Sequence, residues 1–352
     1  MTQVAVVGAN GQVGTEVVLR LAGVPGVQVV PVVRNRSGSA FLRSVGVECR
    51  HGSLTDPASA RDLLSDCDVI VNLAHVESYI ARQRAVNTVL QDCLTDAAAP
   101  GARLVLASTI MVYAPNLPLR WPDTYGSEKL LLERRARKWA RASGNDLIVL
   151  RLGHVLGDLQ AISRKIVGEL ASGSVPMIKQ GRTVSNAVFA ASLAETIVRV
   201  GHGEVPAGTY DLVNDPQWTW ADVYAHYARQ TGLPFTVMSA DSQAPPVARM
   251  VRTATGAAVG VLLRPRVRVR LAFFMRWLPE GPNERLYVAY QVRRATREIA
   301  ALTPASPSVI ENWRPVGGRT LPLEPPLHAL DQYPLPASLV LRQPLEHDEA
   351  HP

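Results

Sequence analysis

Only three cysteines occur in the 352 residues, Cys49, Cys67 and Cys93. Their spacing fits no metal pattern and they cannot close an even set of disulfides. A reducing compartment suits such a chain, so the expectation is a cytoplasmic protein with no bound metal. Long apolar runs are absent too: none reaches the roughly 18–20 residues that cross a bilayer. The longest, Ala254–Leu263, is short and rich in Gly and Ala. The stretch MTQVAVVGANG carries neither a basic n-region nor a cleavage site and does not read as a signal peptide. Aromatic residues make up 6% of the chain, with no zinc-finger spacing and no aromatic-rich RNA-binding signature. No nucleic-acid partner is therefore expected, although the net charge is +7. Such a surplus also suits phosphate-bearing small molecules or an anionic surface. The arginines gather in RPRVRVRLAFFMRW, Arg264–Trp277. This stretch could be an interfacial helix or a charged sheet edge. A core helix of a smaller domain is the preferred reading, without membrane contact.

What is present reads as an ordinary globular chain, 47% hydrophobic and 19% charged. Short runs rich in Val, Ile and Leu recur at residues 4–8, 27–33, 69–74, 103–108 and 147–153. Strands buried on both faces have this composition. Helical patterns lie between them: Val13, Val17 and Leu21 recur at helical spacing, with Glu16 and Arg20 off that line. Asp56 and Pro57 suit an N-cap and a first helical position. Repeated β-α alternation implies an α/β fold, a doubly wound parallel sheet of the Rossmann type, over residues 1–153. Residues 154–315 are expected to form a smaller α/β substrate domain, some of whose segments return to the first sheet. Within them Thr209–Val213 reads as a strand, Thr219 and Asp222 resemble a capping box, and residues 242–300 are helical in part. Residues 316–352 are a proline-rich tail.

Gly8, Gly11 and Gly14 fall where the first strand gives way to the first helix. Glycines there permit a tight turn and close approach of backbone N–H groups to a pyrophosphate at a helix N-terminus. About 20 positions beyond Gly14 the second strand ends in Arg34 rather than an acid. A guanidinium can pair with a 2′-phosphate that a carboxylate would repel. NADP is thus the preferred cofactor, with NAD possible. Tyr125 and Lys129 stand four residues apart in TYGSEK, at the start of a helical run, and share one helix face.

These motifs, with VIVNLAH and LASTIMVY between them, resemble the extended short-chain dehydrogenase/reductases. That group includes NAD(P)-dependent nucleotide-sugar epimerases, dehydratases and reductases. The resemblance covers roughly residues 3–305, where RATREIAALTP resembles the closing segment of the family's second domain. It implies Thr109, Tyr125 and Lys129 as the catalytic set. It extends the cofactor contacts from Gly8, Gly11, Gly14 and Arg34 to Asn10, Gln12, Val13, Ser53, Leu54, Leu73, Ala74, His75, Leu152 and the Tyr125–Lys129 pair. His154 and Arg182 are the implied substrate contacts. A free phenol has a pKa of about 10, and a nearby ammonium favours its phenolate. Lys129 would therefore tune Tyr125 as acid or base and hold the nicotinamide ribose. Thr109 would hydrogen-bond the reacting oxygen. Asn72 and Asn87 are expected to support the backbone, Tyr113 to pack, His75 to meet the cofactor through its backbone, and Glu128 to lie solvated on another helix face.

Departures from the family bear on substrate. Ser53 stands for its adenine-contacting aspartate, Ser185 for its phosphate-binding arginine, Ala191 and Ser192 for two aspartates, and His154 for an asparagine. Arg182, Arg285 or the Arg264–Arg270 group could substitute for the lost phosphate contact. The expected activity is hydride transfer to or from a sugar-like carbonyl or hydroxyl, a nucleotide sugar being one candidate. The alternatives are a nucleotide-sugar 4-epimerase or dehydratase, and a non-catalytic NADP-sensing protein. Ile110 and Met111, beside Thr109, count against dehydration. A homodimer through a four-helix contact that includes the Tyr125 helix is implied by the family.

Overall fold

The computed structural model describes residues 1–76, 80–116, 124–239 and 319–320. The Arg264–Trp277 stretch, Arg285, the helical expectation for 242–300, RATREIAALTP and the tail apart from 319–320 lie outside the described residues. The strands are β1 (Thr2–Val7), β2 (Val27–Val33), β3 (Arg50–His51), β4 (Val69–Asn72), β5 (Arg103–Thr109), β6 (Leu147–Leu152), β7 (His154–Leu156), β8 (Ser174–Met177), β9 (Ala187–Phe189), β10 (Gly208–Leu212), β11 (Thr236–Ser239) and β12 (Arg319–Thr320). The helices are α1 (Gln12–Leu21), α2 (Ala40–Ser44), α3 (Pro57–Leu64), α4 (Ile80–Ala97), α5 (Thr124–Ser143), α6 (Ala161–Leu170), α7 (Ala190–Gly201) and α8 (Trp220–Thr231).

Eight strands form one parallel sheet in the order β12-β10-β6-β5-β4-β1-β2-β3. The order reverses between β1 and β4, and ligands of such sheets bind at that switch point beyond the strands' C-terminal ends. Both faces are covered. In β1, Val4 and Val6 belong to one apolar cluster and Ala5 and Val7 to the other, the period-two alternation of a strand. Helices α1 and α7 pack on the first side. Helices α3, α4 and α5 contribute to the second. This double burial is why the strand sequences read as nearly continuous apolar runs.

Local signals place the helix starts. The Asp56 carboxylate accepts from Ser59 N–H at 2.8 Å, with Pro57 at the first helical position. Thr219 and Asp222 form a complete capping box at the start of α8. Residues Met1–Gly173 and Thr183–Phe235 belong, with β12, to one compact unit; Ser174–Arg182 and β11 belong to a second, where β8 and β11 pair in parallel. In the first unit β7 and β9 pair as a short separate ribbon. Strand β10, within residues 154–315, lies in the main sheet between β6 and β12.

Glu16 and Arg20, off the apolar line of α1, are nonetheless buried. The polar side of α1 faces the segment after β7. Glu16 accepts from Asp158 N–H, Leu159 N–H and Gln160 Nε2, and pairs with Arg20 at 2.6 Å, while Arg20 reaches Asp158 at 3.2 Å. Gly157 leaves room for this carboxylate; a Cβ there would stand only 2.3 Å from Glu16 Oε1. Burying the ions is tolerable because nearly every lone pair finds a donor. Glu16→Ala should therefore destabilise the fold by about 3 kcal/mol, read as a lowered denaturant midpoint. Asp56→Ala, which removes only the α3 cap, should cost about 1 kcal/mol.

Candidate functional site

The glycine turn sits at the switch point. Gly8 has φ of 81°, and its carbonyl accepts from Gly11 N–H at 2.9 Å. A Cβ on Gly14 would lie 2.2 Å from Gly8 O, and one on Gly8 would lie 2.8 Å from Ala74 N. Both contacts are with backbone, so neither site accepts a larger residue without moving the turn. Helix α1 begins after Gly11 with no side-chain cap and no acid in its first turn. Its first N–H groups are thus left for an anion, with the positive end of the helix dipole behind them. Asn10, Gly11 and Gln12 are exposed around this terminus, and Val13 is half-buried against the core.

Arg34 and Arg36 are exposed just beyond β2, and neither makes an ion pair among the described residues. The turn that carries them is fixed by its own bonds: Gly38 N–H to Asn35 Oδ1, Ser39 Oγ to Arg36 O, and Arg43 to both Ser39 Oγ and Arg36 O. A Cβ on Gly38 would stand 2.8 Å from Asn10 Nδ2, so this turn and the glycine turn adjoin. Arg43 adds a third cation that sequence spacing did not suggest. Ser53 bonds to Thr55 Oγ1 at 2.9 Å, and Leu54 packs against the second apolar cluster.

After β4 the chain is held by two asparagines, the supporting roles expected of them. Asn72 Oδ1 accepts from Ala74 N–H, and its amide donates to Gln91 Oε1. Asn87 Oδ1 accepts from Val76 N–H, and Asn87 Nδ2 donates to Val76 O. Leu73, Ala74 and His75 are half-buried in this pinned segment. The His75 ring meets the Tyr125 ring edge-on, with centroids 4.9 Å apart. Ala74 thus touches the glycine turn and its neighbour touches the tyrosine.

Lys129 is 4% exposed and donates to Ala107 O in β5 at 3.0 Å. Its ammonium lies 5.8 Å from the Tyr125 ring centroid. Burial pushes its pKa down to about 8, against the opposing pull of Glu128 and Glu133. Thr109 ends the same strand; its oxygen accepts from Met111 N–H, and its hydroxyl hydrogen has no acceptor among the described residues.

Two sequence expectations fail on α5 and its surroundings. Glu128 is buried, not solvated: it accepts from Asn87 Nδ2 at 2.5 Å and Gln83 Nε2 at 2.7 Å. Position i+3 shares a helix face as readily as i+4, so Tyr125, Glu128, Lys129, Leu132 and Glu133 all turn inward. Tyr113 also does more than pack. Its hydroxyl donates to Asp211 at 2.8 Å and accepts from Arg151 at 2.8 Å. Arg151 in turn clasps Glu133 with two nitrogens, and Glu133 also takes Ser108 Oγ and Arg137. Burial alone would raise the Glu133 pKa, but the bonds from Arg151 and Ser108 hold it below the usual carboxylate range.

Beyond β6, Leu152 is buried, and His154 packs against Trp220 with centroids 5.5 Å apart. Burial lowers the His154 pKa, which keeps the ring neutral at pH 7. Ser185 is buried and donates to Trp218 O, while Ala191 and Ser192 are buried in α7. Arg182 is exposed in the second unit and bonds to Gln180 Oε1. Sequence reasoning missed Asn214, which follows β10: it is 2% exposed, and neither amide atom has a partner among the described residues. Trp220 Nε1 is likewise buried without one. Among the described residues no group of three or more His, Cys, Asp or Glu side chains could hold a metal, and no helix is long and apolar enough to cross a membrane.

A doubly wound parallel sheet whose switch point carries a glycine cradle and an uncapped helix end defines a dinucleotide-binding protein. The comparisons narrow the ligand to a nicotinamide cofactor and give the class. The model of the NAD dependent epimerase/dehydratase family matches residues 4–204, and the chain belongs to that family. It is an NAD(P)-dependent oxidoreductase or epimerase. The chain is similar to Quinone oxidoreductase 2 of Escherichia coli strain K12, 26% identical over 238 residues, which covers 65% of this chain and 74% of the relative. Its fold is similar to that of UDP-N-acetylglucosamine 4-epimerase from Bacillus cereus, at 21% identity and a TM-score of 0.54 over 68% of this chain and 86% of the other. A short-chain dehydrogenase/reductase superfamily protein from Agrobacterium tumefaciens with bound NAD gives 22% identity and a TM-score of 0.51 over 67% and 85%.

The cradle predicts its own disruption. Gly14→Ala should abolish binding of a reduced nicotinamide dinucleotide at concentrations that saturate the wild type, measured by nucleotide fluorescence. Gly23→Ala, at an open turn without a positive φ where an added Cβ meets nothing within 4 Å, should leave binding intact.

Proposed function

We propose that the chain is an NADP-preferring reductase of a hydroxylated, sugar-like carbonyl compound, with Tyr125 as proton donor. The observation that carries this reading is one chain of contacts. The Tyr125 ring rests on His75, and the residue before His75 meets Gly8 of the dinucleotide cradle. The phenol and the cofactor turn therefore border the same short segment after β4. The dinucleotide, when bound, supplies the hydride. Tyr125 would deliver a proton to the substrate oxygen, and Thr109 would donate a hydrogen bond to it. The Lys129 ammonium, held by Ala107 O, would favour the phenolate left behind and hold the ribose.

Arg34 and Arg36 support the NADP preference: both are exposed, without an ion pair among the described residues, on the turn whose Gly38 adjoins Asn10. His154 of the first unit and, separately, Arg182 of the second are candidate substrate contacts. Ser185, tied to Trp218 O, offers no cation for a phosphate. This favours a carbonyl compound without an obligatory diphosphate, and the similarity to a quinone oxidoreductase puts a quinone among the acceptors to try. The epimerase neighbours support a second reading, a 4-epimerase, which would interconvert sugars without net consumption of cofactor. A homodimer through α4 and α5 accords with their paired surface, where Arg135 meets Asp92 at 2.5 Å and Val89 is exposed.

The test is NADPH oxidation against a panel of keto-sugars, simple ketones and a benzoquinone. Tyr125→Phe should lower turnover by about a hundred- to ten-thousand-fold while NADPH still binds. Binding with no turnover on any acceptor would favour a sensing protein. Arg34→Ala should weaken NADPH binding about ten- to a hundredfold, the loss of one charge-assisted contact, and leave NADH binding unchanged. Tighter binding of NADH than of NADPH by the wild type would refute the preference.

A further inference from the structure

Glu128 is an anomaly on the inner face of α5. It is 5% exposed, and both carboxyl oxygens accept hydrogen bonds from neutral amides. The orientation of Asn87 is unambiguous: its oxygen is taken by Val76 N–H, so its nitrogen must face Glu128. No arginine, lysine or histidine pairs with Glu128 among the described residues. Glu133, one turn on, differs: Arg151 and Arg137 neutralise it. A buried carboxylate without a partner cation is costly. The buried cation beside it in sequence, Lys129, makes no ion pair among the described residues and bonds to the backbone oxygen of Ala107. The same two amides approach His75, with Gln83 Nε2 and Asn87 Nδ2 each 3.5 Å from a ring nitrogen. His75 is the ring against which Tyr125 rests.

We infer that Glu128 is a positioning residue for the Tyr125–Lys129 pair: it fixes the two amides that flank His75 and supplies the negative charge that keeps the Lys129 ammonium protonated. The inference rests on the roles proposed above for Tyr125 and Lys129. Among the described residues, the charged and titratable groups around Lys129 are Glu128 and Glu133 on its own helix and Tyr125 one turn before it. His75 faces this set from the segment after β4, and Arg151 of β6 and Arg137 lie beyond Glu133. Since Glu133 is already matched by two arginines, Glu128 provides the unmatched charge.

The chain has four lysines, Lys129, Lys138, Lys165 and Lys179. Isotope labelling at lysine Cε should therefore give four resolvable signals, with Lys129→Arg identifying the one of interest. In the wild type that signal should titrate near pH 8. In Glu128→Gln its midpoint should fall by about one pH unit, and in Glu128→Asp it should stay near the wild-type value because the charge is kept. Circular dichroism checks the fold; should Glu128→Gln not fold, Glu128→Ser serves as the charge-free variant. The alkaline limb of kcat/KM should move with the midpoint, a loss of about fivefold at pH 8 with little change at pH 6. An unmoved Lys129 midpoint in a folded charge-free variant would overturn the inference. The titration needs no turnover, so a wild type that binds NADPH but reduces nothing would refute the catalytic reading and leave the Glu128 result standing.

Discussion

The inner face of α5 carries the constraint on which the site depends. Three ionisable side chains, Glu128, Lys129 and Glu133, are buried on it within two turns. None can be there unless the sheet and its neighbours meet it with matching atoms. Lys129 is met by a carbonyl of β5, Glu133 by Ser108 of β5 and Arg151 of β6, and Glu128 by amides of α4. Apolar packing alone would tolerate small slides of a helix over a sheet. Directional bonds to three different elements do not, so the height and rotation of Tyr125 above the strand ends are fixed.

Most of the fold was legible because the sheet is buried on both sides. Strands of that kind announce themselves as Val, Ile and Leu runs, and β1, β2, β4, β5 and β6 fell where those runs stand. The glycine turn was legible for a different reason: close backbone approach leaves only glycine at Gly8 and Gly14, so a packing constraint is written directly into residue type. The caps at Asp56 and Thr219 were readable because a local hydrogen bond needs only local sequence. Partners supplied by distant chain were not legible. The backbone of residues 158–159 meets Glu16, Asn87 and Gln83 hold Glu128 away from the solvent expected for it, and Asp211, 98 positions away, takes the Tyr113 hydroxyl. No window of sequence contains those pairs.

The substrate side shows the converse. Positions where the family carries charge are here small and interior: Ser185 closes a bond to Trp218 O, and Ala191 and Ser192 pack inside α7. These side chains support the core. Near the ends of β6 and β10 stand a histidine against an indole and a buried asparagine amide without a partner among the described residues. Hydrogen-bonding groups of this kind discriminate by shape and by donor–acceptor pattern, since an unmatched buried polar group is penalised.

The Glu16 cluster has a consequence for how the molecule opens. It fastens the helix that faces the dinucleotide to the loop leading into α6, through backbone N–H groups more than 140 positions distant. Two regions that sequence would assign to separate tasks are joined at one carboxylate. Thermal fluctuations cannot melt the residue 157–160 loop without unsealing the first crossover helix. Exchange of the Asp158 and Leu159 amide protons with solvent thus reports on the integrity of the nucleotide cradle.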